Sequence, residues 1–73
     1  MQKYLNLGGN SYVEAFEIRP TYISVKFYGT SKIYTYSYKS AGSLNVETAK
    51  TLARSGSGLN SFIMRNMRTS YEK

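Results

Sequence analysis

The chain has 73 residues, and its ten Lys and Arg side chains outnumber its four acidic ones, giving a formal net charge of +6 at pH 7. This length predicts one domain with a thin core, because such a chain buries only about 60% of the surface that its unfolded form exposes. The lack of cysteine and histidine excludes disulfides, a thiolate nucleophile and the usual zinc ligands, and it removes the commonest general base. No spacing among the Ser, Lys, Tyr and Glu residues defines a nucleophile beside a base. We therefore expect a protein that is not an enzyme and uses no metal or cofactor.

The charge and hydropathy patterns indicate the cellular location of the protein and the class of partner that it binds. No apolar run approaches the roughly 20 residues of a membrane helix, and residues 1–7 are too short and polar for the apolar part of a secretory signal. We expect a cytoplasmic protein without a membrane partner. The positive charge favours an anionic partner such as nucleic acid, a nucleotide or an acidic protein. The alternative is a solvated basic surface that only maintains solubility.

Alternating apolar residues predict a hairpin in the middle of the chain. Ile23, Val25 and Phe27 recur at every second position of residues 21–28, which is the period of a half-buried strand. A Gly-Thr-Ser turn follows, and residues 32–38 predict the returning strand.

The returning strand carries a row of tyrosines. Tyr34, Tyr36 and Tyr38 alternate with small polar residues, so a strand places three phenol rings on one face. That face either packs beneath helices or stands exposed as a stacking platform for bases. We predict the first arrangement, with Tyr34 and Tyr36 buried and with Tyr22 and Tyr28 exposed on the opposite face.

Two further strands are predicted upstream. Residues 11–19 are rich in apolar side chains, but Val13 is out of phase with Phe16, which predicts a strand with a bulge. Residues 4–7 predict a short additional strand, joined to it through the Gly-Gly-Asn loop at residues 8–10.

The second half changes to a helical period. Residues 40–43 predict a loop, Asn45 predicts an N-cap, and Glu47 then falls in the first turn of the helix. A Gly-Ser-Gly segment ends this helix, a second one begins at Leu59, and residues 69–73 are expected to fray. The apolar stripes of the two helices are Val46, Ala49, Leu52 and Ala53, and Leu59, Phe62, Ile63 and Met67. The predicted fold class is therefore α+β, an antiparallel three- to four-stranded meander followed by two short helices packed on one face.

Several of these segments resemble a known family. The Tyr34-Thr35-Tyr36 strand, the helix after it and the sequence Ser-Gly-Ser-Gly-Leu-Asn-Ser-Phe-Ile at residues 55–63 are similar to the KTSC domain. This module occurs alone in small bacterial and phage proteins and at the C-terminus of some lysyl-tRNA synthetases. The resemblance covers residues 11–71, leaving residues 1–10 as an N-terminal extension and 72–73 as a tail.

The KTSC resemblance implies a three-stranded meander with two helices, no known catalytic activity and a proposed RNA-binding role. The chain departs from the family in its extension, in a longer loop at residues 40–44, and in lacking a second tyrosine-rich basic motif, of which it keeps only Tyr71.

Two classes of function stay open. The first is a nucleic-acid-binding module, with RNA favoured, in which Tyr22 and Tyr28 stack on bases. The second is a protein-interaction or homo-oligomerisation module, or a binder of a small anionic ligand such as a nucleotide. The candidate phosphate-binding side chains are Lys26, Lys32, Lys39, Lys50, Arg54, Arg65 and Arg68.

A specific anion site is also predicted where the two helices meet. The backbone N–H groups of Gly58, Leu59 and Asn60 would face an anion, with Lys50, Arg54 and Arg65 around them. The alternative is that the glycines only end one helix and provide a tight turn to the next.

Overall fold

A computed structural model describes residues 1–9 and 11–73. It shows one antiparallel sheet of four strands in the order β1-β2-β3-β4, followed by helices, which confirms the predicted α+β fold. Asn10, part of the predicted loop at residues 8–10, lies outside the described residues. The elements are β1 (Gln2–Lys3), β2 (Val13–Arg19), β3 (Tyr22–Phe27), β4 (Ile33–Ser37), α1 (Tyr38–Ala41), α2 (Ser43–Ser55) and α3 (Leu59–Asn66).

The pairing of β3 with β4 sets the two faces of the sheet. Val25 lies opposite Tyr34, and Ile23 lies opposite Tyr36. Because directly opposed residues point to the same side, the tyrosine row shares the inner face with the apolar row of β3. Tyr36 is buried there and Tyr34 half-buried, so the predicted side is correct, although the burial of Tyr34 is incomplete.

The predicted bulge lies near the start of β2. Val13 pairs with Phe27 while Ala15 pairs with Lys26, so the register shifts between them. The extra residue allows Val13 and Phe16, three positions apart, both to enter the core.

The segment before β2 belongs to the core, and its strand is not where the sequence predicted it. Pairing with β2 covers Gln2–Lys3 and ends after the Tyr4 N–H donates to the Glu14 carbonyl at 3.0 Å. The Tyr4 side chain then turns inward, where its ring meets Phe16 edge-to-face at 6.4 Å between centroids. Its hydroxyl accepts a 3.2 Å hydrogen bond from the N–H of Leu59. Burying this aromatic side chain outweighs continuing an edge strand.

The helical half begins earlier than predicted. Ser37 and Ser40 cap α1 reciprocally, each hydroxyl accepting a 3.0 Å hydrogen bond from the backbone N–H of the other, so a helical turn forms where a loop was expected. Gly42 is the N-cap of α2. Asn45 therefore lies inside the helix and donates from Nδ2 to the Ala41 carbonyl at 3.0 Å. Both the predicted N-cap and the first-turn position of Glu47 are wrong.

Helices α2 and α3 cover one part of the inner face. Tyr36 lies beneath them, whereas Phe27 and Tyr34 at the other end stay half-buried. The core residues are Tyr4, Val13, Phe16, Ile23, Val25, Tyr36, Val46, Ala49, Ala53, Leu59, Ile63 and Met67.

Residues 69–73 pack against the sheet, contrary to the expected fraying. The Glu72 N–H donates to the Thr35 carbonyl at 2.7 Å, and the Ser37 hydroxyl donates to the Glu72 carboxylate. Tyr71 meets Tyr34 edge-to-face, with ring centroids 4.8 Å apart. This segment thereby satisfies one backbone acceptor on the free edge of β4.

Gly56 joins the end of α2 to the N-terminal segment. Its φ of +77° lies in the left-handed region that favours glycine, and its carbonyl accepts a 2.7 Å hydrogen bond from the Leu7 N–H. A Cβ atom at this position would stand 2.7 Å from the Cβ of Leu5. Backbone conformation and close packing therefore both require glycine.

We expect Gly56→Ala to reduce the free energy of unfolding by more than Gly29→Ala. Gly29 also has a positive φ of +84°, but a Cβ there would meet nothing within 4 Å. Both variants incur the left-handed strain of about 1–3 kcal/mol, and only Gly56→Ala adds the clash with Leu5. Urea denaturation of both variants measures the difference, and equal losses would show that Leu5 does not constrain position 56.

Candidate nucleic-acid interface

The uncovered end of the inner sheet face forms a groove of about 520 Å³, here called the aromatic groove. Phe27 comes from β3, Tyr34 and Tyr36 come from β4, and residues after α3 close one side. Five aromatic side chains line it: Tyr12, Phe27, Tyr34, Tyr36 and Tyr71. The side chains that α3 and the following turn contribute include Asn60, Met64 and Arg68.

The rings of the groove hold one another in place. Phe27 and Tyr34 meet edge-to-face at 5.6 Å between centroids, and Tyr71 meets Tyr36 in the same way at 6.3 Å. Edge-to-face contacts of this kind stabilise a fixed orientation of each ring. The aromatic walls are therefore formed before any ligand binds.

Exposure increases from the floor of the groove to its rim. Tyr36 is 1% exposed, Tyr34 and Tyr71 are half-buried, and Tyr12 at the rim is 69% exposed. Met64 on α3 is also exposed. The aromatic surface that a ligand can reach is thus greatest at Tyr12, partial at Tyr34 and Tyr71, and very small at Tyr36.

Positive charge lies beside these rings. The Lys32 Nζ is 5.1 Å from the ring centroid of Tyr34 and 5.7 Å from that of Tyr71, within the range of cation–π attraction. Arg68 lines the groove. The groove therefore combines aromatic faces with two cations.

Carboxylates neutralise some of the basic residues and leave others unpaired. In the described chain, Lys26, Arg19 and Lys50 pair with Glu14, Glu17 and Glu47. Seven of the ten basic residues remain outside ion pairs: Lys3, Lys32, Lys39, Arg54, Arg65, Arg68 and Lys73.

The outer sheet face does not form the basic stacking surface that the sequence predicted. Lys26 is held by Glu14, with 2.5 Å between Nζ and Oε1, so its charge is neutralised locally. Tyr22 is half-buried, and only Tyr28 is exposed as predicted. The sequence pattern of one strand could not show that the bulge on β2 brings Glu14 to Lys26.

Lys50 is a second correction. It is 3% exposed, and its Nζ donates to the Pro20 carbonyl at 2.9 Å and to Glu47 Oε2 at 2.7 Å. Its ammonium also lies 5.4 Å from the Tyr38 ring centroid. This ammonium joins α2 to the β2–β3 turn and is not available to a phosphate. One sequence feature indicates this burial: Lys50 lies four residues after Val46, which belongs to the apolar stripe, and therefore on the same side of the helix.

The predicted anion corner is not assembled. The Leu59 N–H already donates to Tyr4, and the cleft of about 170 Å³ beside Gly58 and Asn60 is lined by uncharged residues. Arg54 lies on the side of α2 that carries Glu47, whose pKa it helps to lower, whereas Leu52 faces Gly58 from the other side. Gly58 therefore serves as the N-cap of α3, with a φ of +82°.

Two of the predicted site residues reach the aromatic groove. Asn60 and Arg68 line it together with Met64. Asn60 and Met64 are four residues apart on one face of α3, and Arg68 lies in the turn after this helix. The sequence reasoning missed Tyr12 and Tyr71, which come from opposite ends of the chain. No local pattern pointed to either of them.

Comparisons with known proteins leave the family open. No protein-family model, curated protein or solved structure matches the chain. None of the helices in the described residues is long and apolar enough to cross a membrane. Residues 1–9 and 11–73 also contain no group of three or more metal-ligating His, Cys, Asp or Glu side chains.

The Glu47 network predicts a loss of stability in acid. Hydrogen bonds from Lys50 and from the Tyr38 hydroxyl, at 2.7 and 2.5 Å, lower the pKa of Glu47 below its ordinary value of 4.5. The unfolded chain therefore takes up this proton first, so the carboxylate stabilises the fold above pH 4.5 and loses this effect as the pH falls through the folded pKa. Protonation also leaves the Lys50 charge buried without its counterion.

We expect wild-type stability to fall more steeply than that of Glu47→Gln between about pH 5 and pH 3. Glu17→Gln, which removes a carboxylate from an exposed surface pair, should follow the wild type because such pairs contribute little. Thermal unfolding across this pH range measures the effect. Parallel curves for wild type and Glu47→Gln would show that the network does not couple to folding.

Proposed function

We propose that this protein is a small binding module for single-stranded RNA and that the aromatic groove is its binding site. The observation that carries the proposal is the presence of Lys32 and Arg68 beside accessible tyrosine rings. Aromatic rings hold bases by stacking, and basic side chains hold the phosphates between them. The protein binds without catalysing a reaction, and it acts in the cytoplasm.

Single strands suit the groove better than a duplex. A base within a duplex is stacked on both faces, so its ring cannot reach Tyr12 or Tyr34, whereas an unpaired base can. The resemblance to the KTSC domain favours RNA over DNA, and we propose that residues 11–71 are a domain of this kind. The net charge of +6 increases the rate of encounter with any nucleic acid.

A protein partner, including a second copy of the chain, is the alternative occupant. Exposed Tyr12 and Met64 beside Arg68 are residue types that protein interfaces favour. The two occupants differ in their response to salt. Phosphate contacts give a linear fall of log affinity with log salt concentration, whereas aromatic anchors give a shallow one.

We expect Lys32→Ala with Arg68→Ala to weaken binding of fluorescein-labelled hexauridylate at least about a hundredfold, since each of the two charge-assisted contacts contributes about 1.5 kcal/mol or more. The double variant should also flatten the salt dependence by about 1.4 in log–log slope, for two lost phosphate contacts. Arg54→Ala with Arg65→Ala removes the same charge away from the groove. Fluorescence anisotropy at several KCl concentrations measures both pairs.

The matched pair makes the result specific to the groove. Equal losses in the two double variants would mean that net charge alone attracts RNA. The alternative, an interaction module, is tested by measuring the oligomeric state of the wild type by sedimentation. A dimer that binds no oligonucleotide, but dissociates when Tyr12 is replaced, would favour the interaction module.

We also expect Tyr12→Ala to lower hexauridylate affinity by about 1–3 kcal/mol, the contribution of one stacked base. Tyr12 is mostly exposed, so the free energy of unfolding should change little. Tyr28→Ala removes an exposed tyrosine outside the groove and should bind like the wild type. The same anisotropy titration decides, and equal effects of the two substitutions would exclude stacking on Tyr12.

A further inference from the structure

The floor of the aromatic groove carries a tyrosine hydroxyl that has no partner among the described residues. Tyr36 is almost fully buried and lines the groove, but its hydroxyl makes no hydrogen bond with the described residues. Every fully buried side-chain nitrogen or oxygen in those residues has a partner. The small exposed part of Tyr36 therefore includes this hydroxyl, which opens into the groove.

This hydroxyl is a hydrogen-bond donor throughout the physiological pH range. Burial, with smaller contributions from Tyr34 and Tyr71, raises the pKa of Tyr36 to about 12. Buried polar groups in native proteins nearly always have a partner. An acceptor atom on a ligand would supply the missing one.

We infer that the aromatic groove accepts one base of the RNA edge-first, with an acceptor atom of that base bound to the Tyr36 hydroxyl. The inference rests on the proposed function and adds to it the number of bases bound and the residue that positions them. Tyr34 and Tyr71, whose rings contact each other, present one joined aromatic surface to this base. Tyr12 at the rim stacks on the same base, and Lys32 and Arg68 meet the adjacent phosphates.

The dimensions and the chemistry favour a pocket over a platform. The groove is open to solvent, and its volume of about 520 Å³ lies in the range of sites that take one small ligand. A stacking platform would present flat rings at similar exposure, whereas here exposure falls from Tyr12 at the rim to Tyr36 at the floor. A single inserted base uses both the aromatic walls and the polar floor.

The test uses hexamers whose sugars are abasic except at one central position. That position carries A, C, G, U, a phenyl ring that lacks acceptor atoms, or no base. We expect the best one-base hexamer to bind within about threefold of the corresponding homohexamer and at least about tenfold more tightly than the abasic one. If no one-base hexamer binds better than the abasic hexamer while a homohexamer binds, one-base insertion is wrong although RNA binding stands.

The role of the hydroxyl is tested with Tyr36→Phe, which keeps the ring, and with Tyr28→Phe as a control outside the groove. We expect Tyr36→Phe to bind the best one-base hexamer about fivefold more weakly, as for one neutral hydrogen bond, and to bind the phenyl hexamer like the wild type. Equal losses for both hexamers, or no loss, would overturn the role of the hydroxyl.

The wild type alone provides a second measurement that needs no variant. If the phenyl hexamer binds it as tightly as the best one-base hexamer, the Tyr36 hydroxyl does not contact the base, whether or not Tyr36→Phe folds. If no homohexamer binds the wild type at all, the failure belongs to the proposed function.

Discussion

The register between β3 and β4 is the constraint on which the rest of the structure depends. By pairing Ile23 with Tyr36 and Val25 with Tyr34, it places aliphatic and phenolic side chains on one face and leaves a largely polar face outside. A slip of one residue would move the whole tyrosine row to solvent. The helices would then cover Thr35 and Ser37, and neither the core nor the aromatic groove would form. The same strand register therefore produces both the core packing and the aromatic groove, so the groove forms only when the chain folds.

The short span of α3 accounts for the opening above the tyrosines. Helix α3 spans only Leu59–Asn66 and covers one end of the sheet, so the other end is completed by single side chains from segments outside the helices. Tyr12 and Tyr71 supply that cover incompletely. In so small a domain, incomplete cover provides an accessible aromatic surface without a deep cavity.

The local sequence pattern predicts much of the fold. The features that it does not predict depend on contacts between segments that are distant in the chain. The period-2 rows of β3 and β4, the bulge near Val13 and the helix end at Gly56 follow from neighbouring residues, so they could be predicted. Lys50 could not be assigned from charge alone, because its burial depends on the Pro20 carbonyl 30 positions away. The local pattern predicts a strand at Tyr4, because the contacts that bury its side chain, with Phe16 and with α3, come from other parts of the chain. The groove could not be predicted for the same reason, since Tyr12 and Tyr71 come to line one groove only in the folded chain.

The hydrogen bond from the Leu59 N–H to the Tyr4 hydroxyl has a consequence for the order of folding. It joins residues 55 positions apart, whereas the hairpin of β3 and β4 closes over a short turn. Closing the longer loop costs more chain entropy, and it gains little until α3 has packed on the sheet and its first N–H group is fixed. We therefore expect the contact between Tyr4 and α3 to form after the hairpin and the helices have packed, whereas β1 can pair with β2 earlier because these strands lie close in the chain. In this order, the parts of the aromatic groove that β3, β4 and α3 contribute are in place before the Tyr4 hydroxyl reaches the Leu59 N–H.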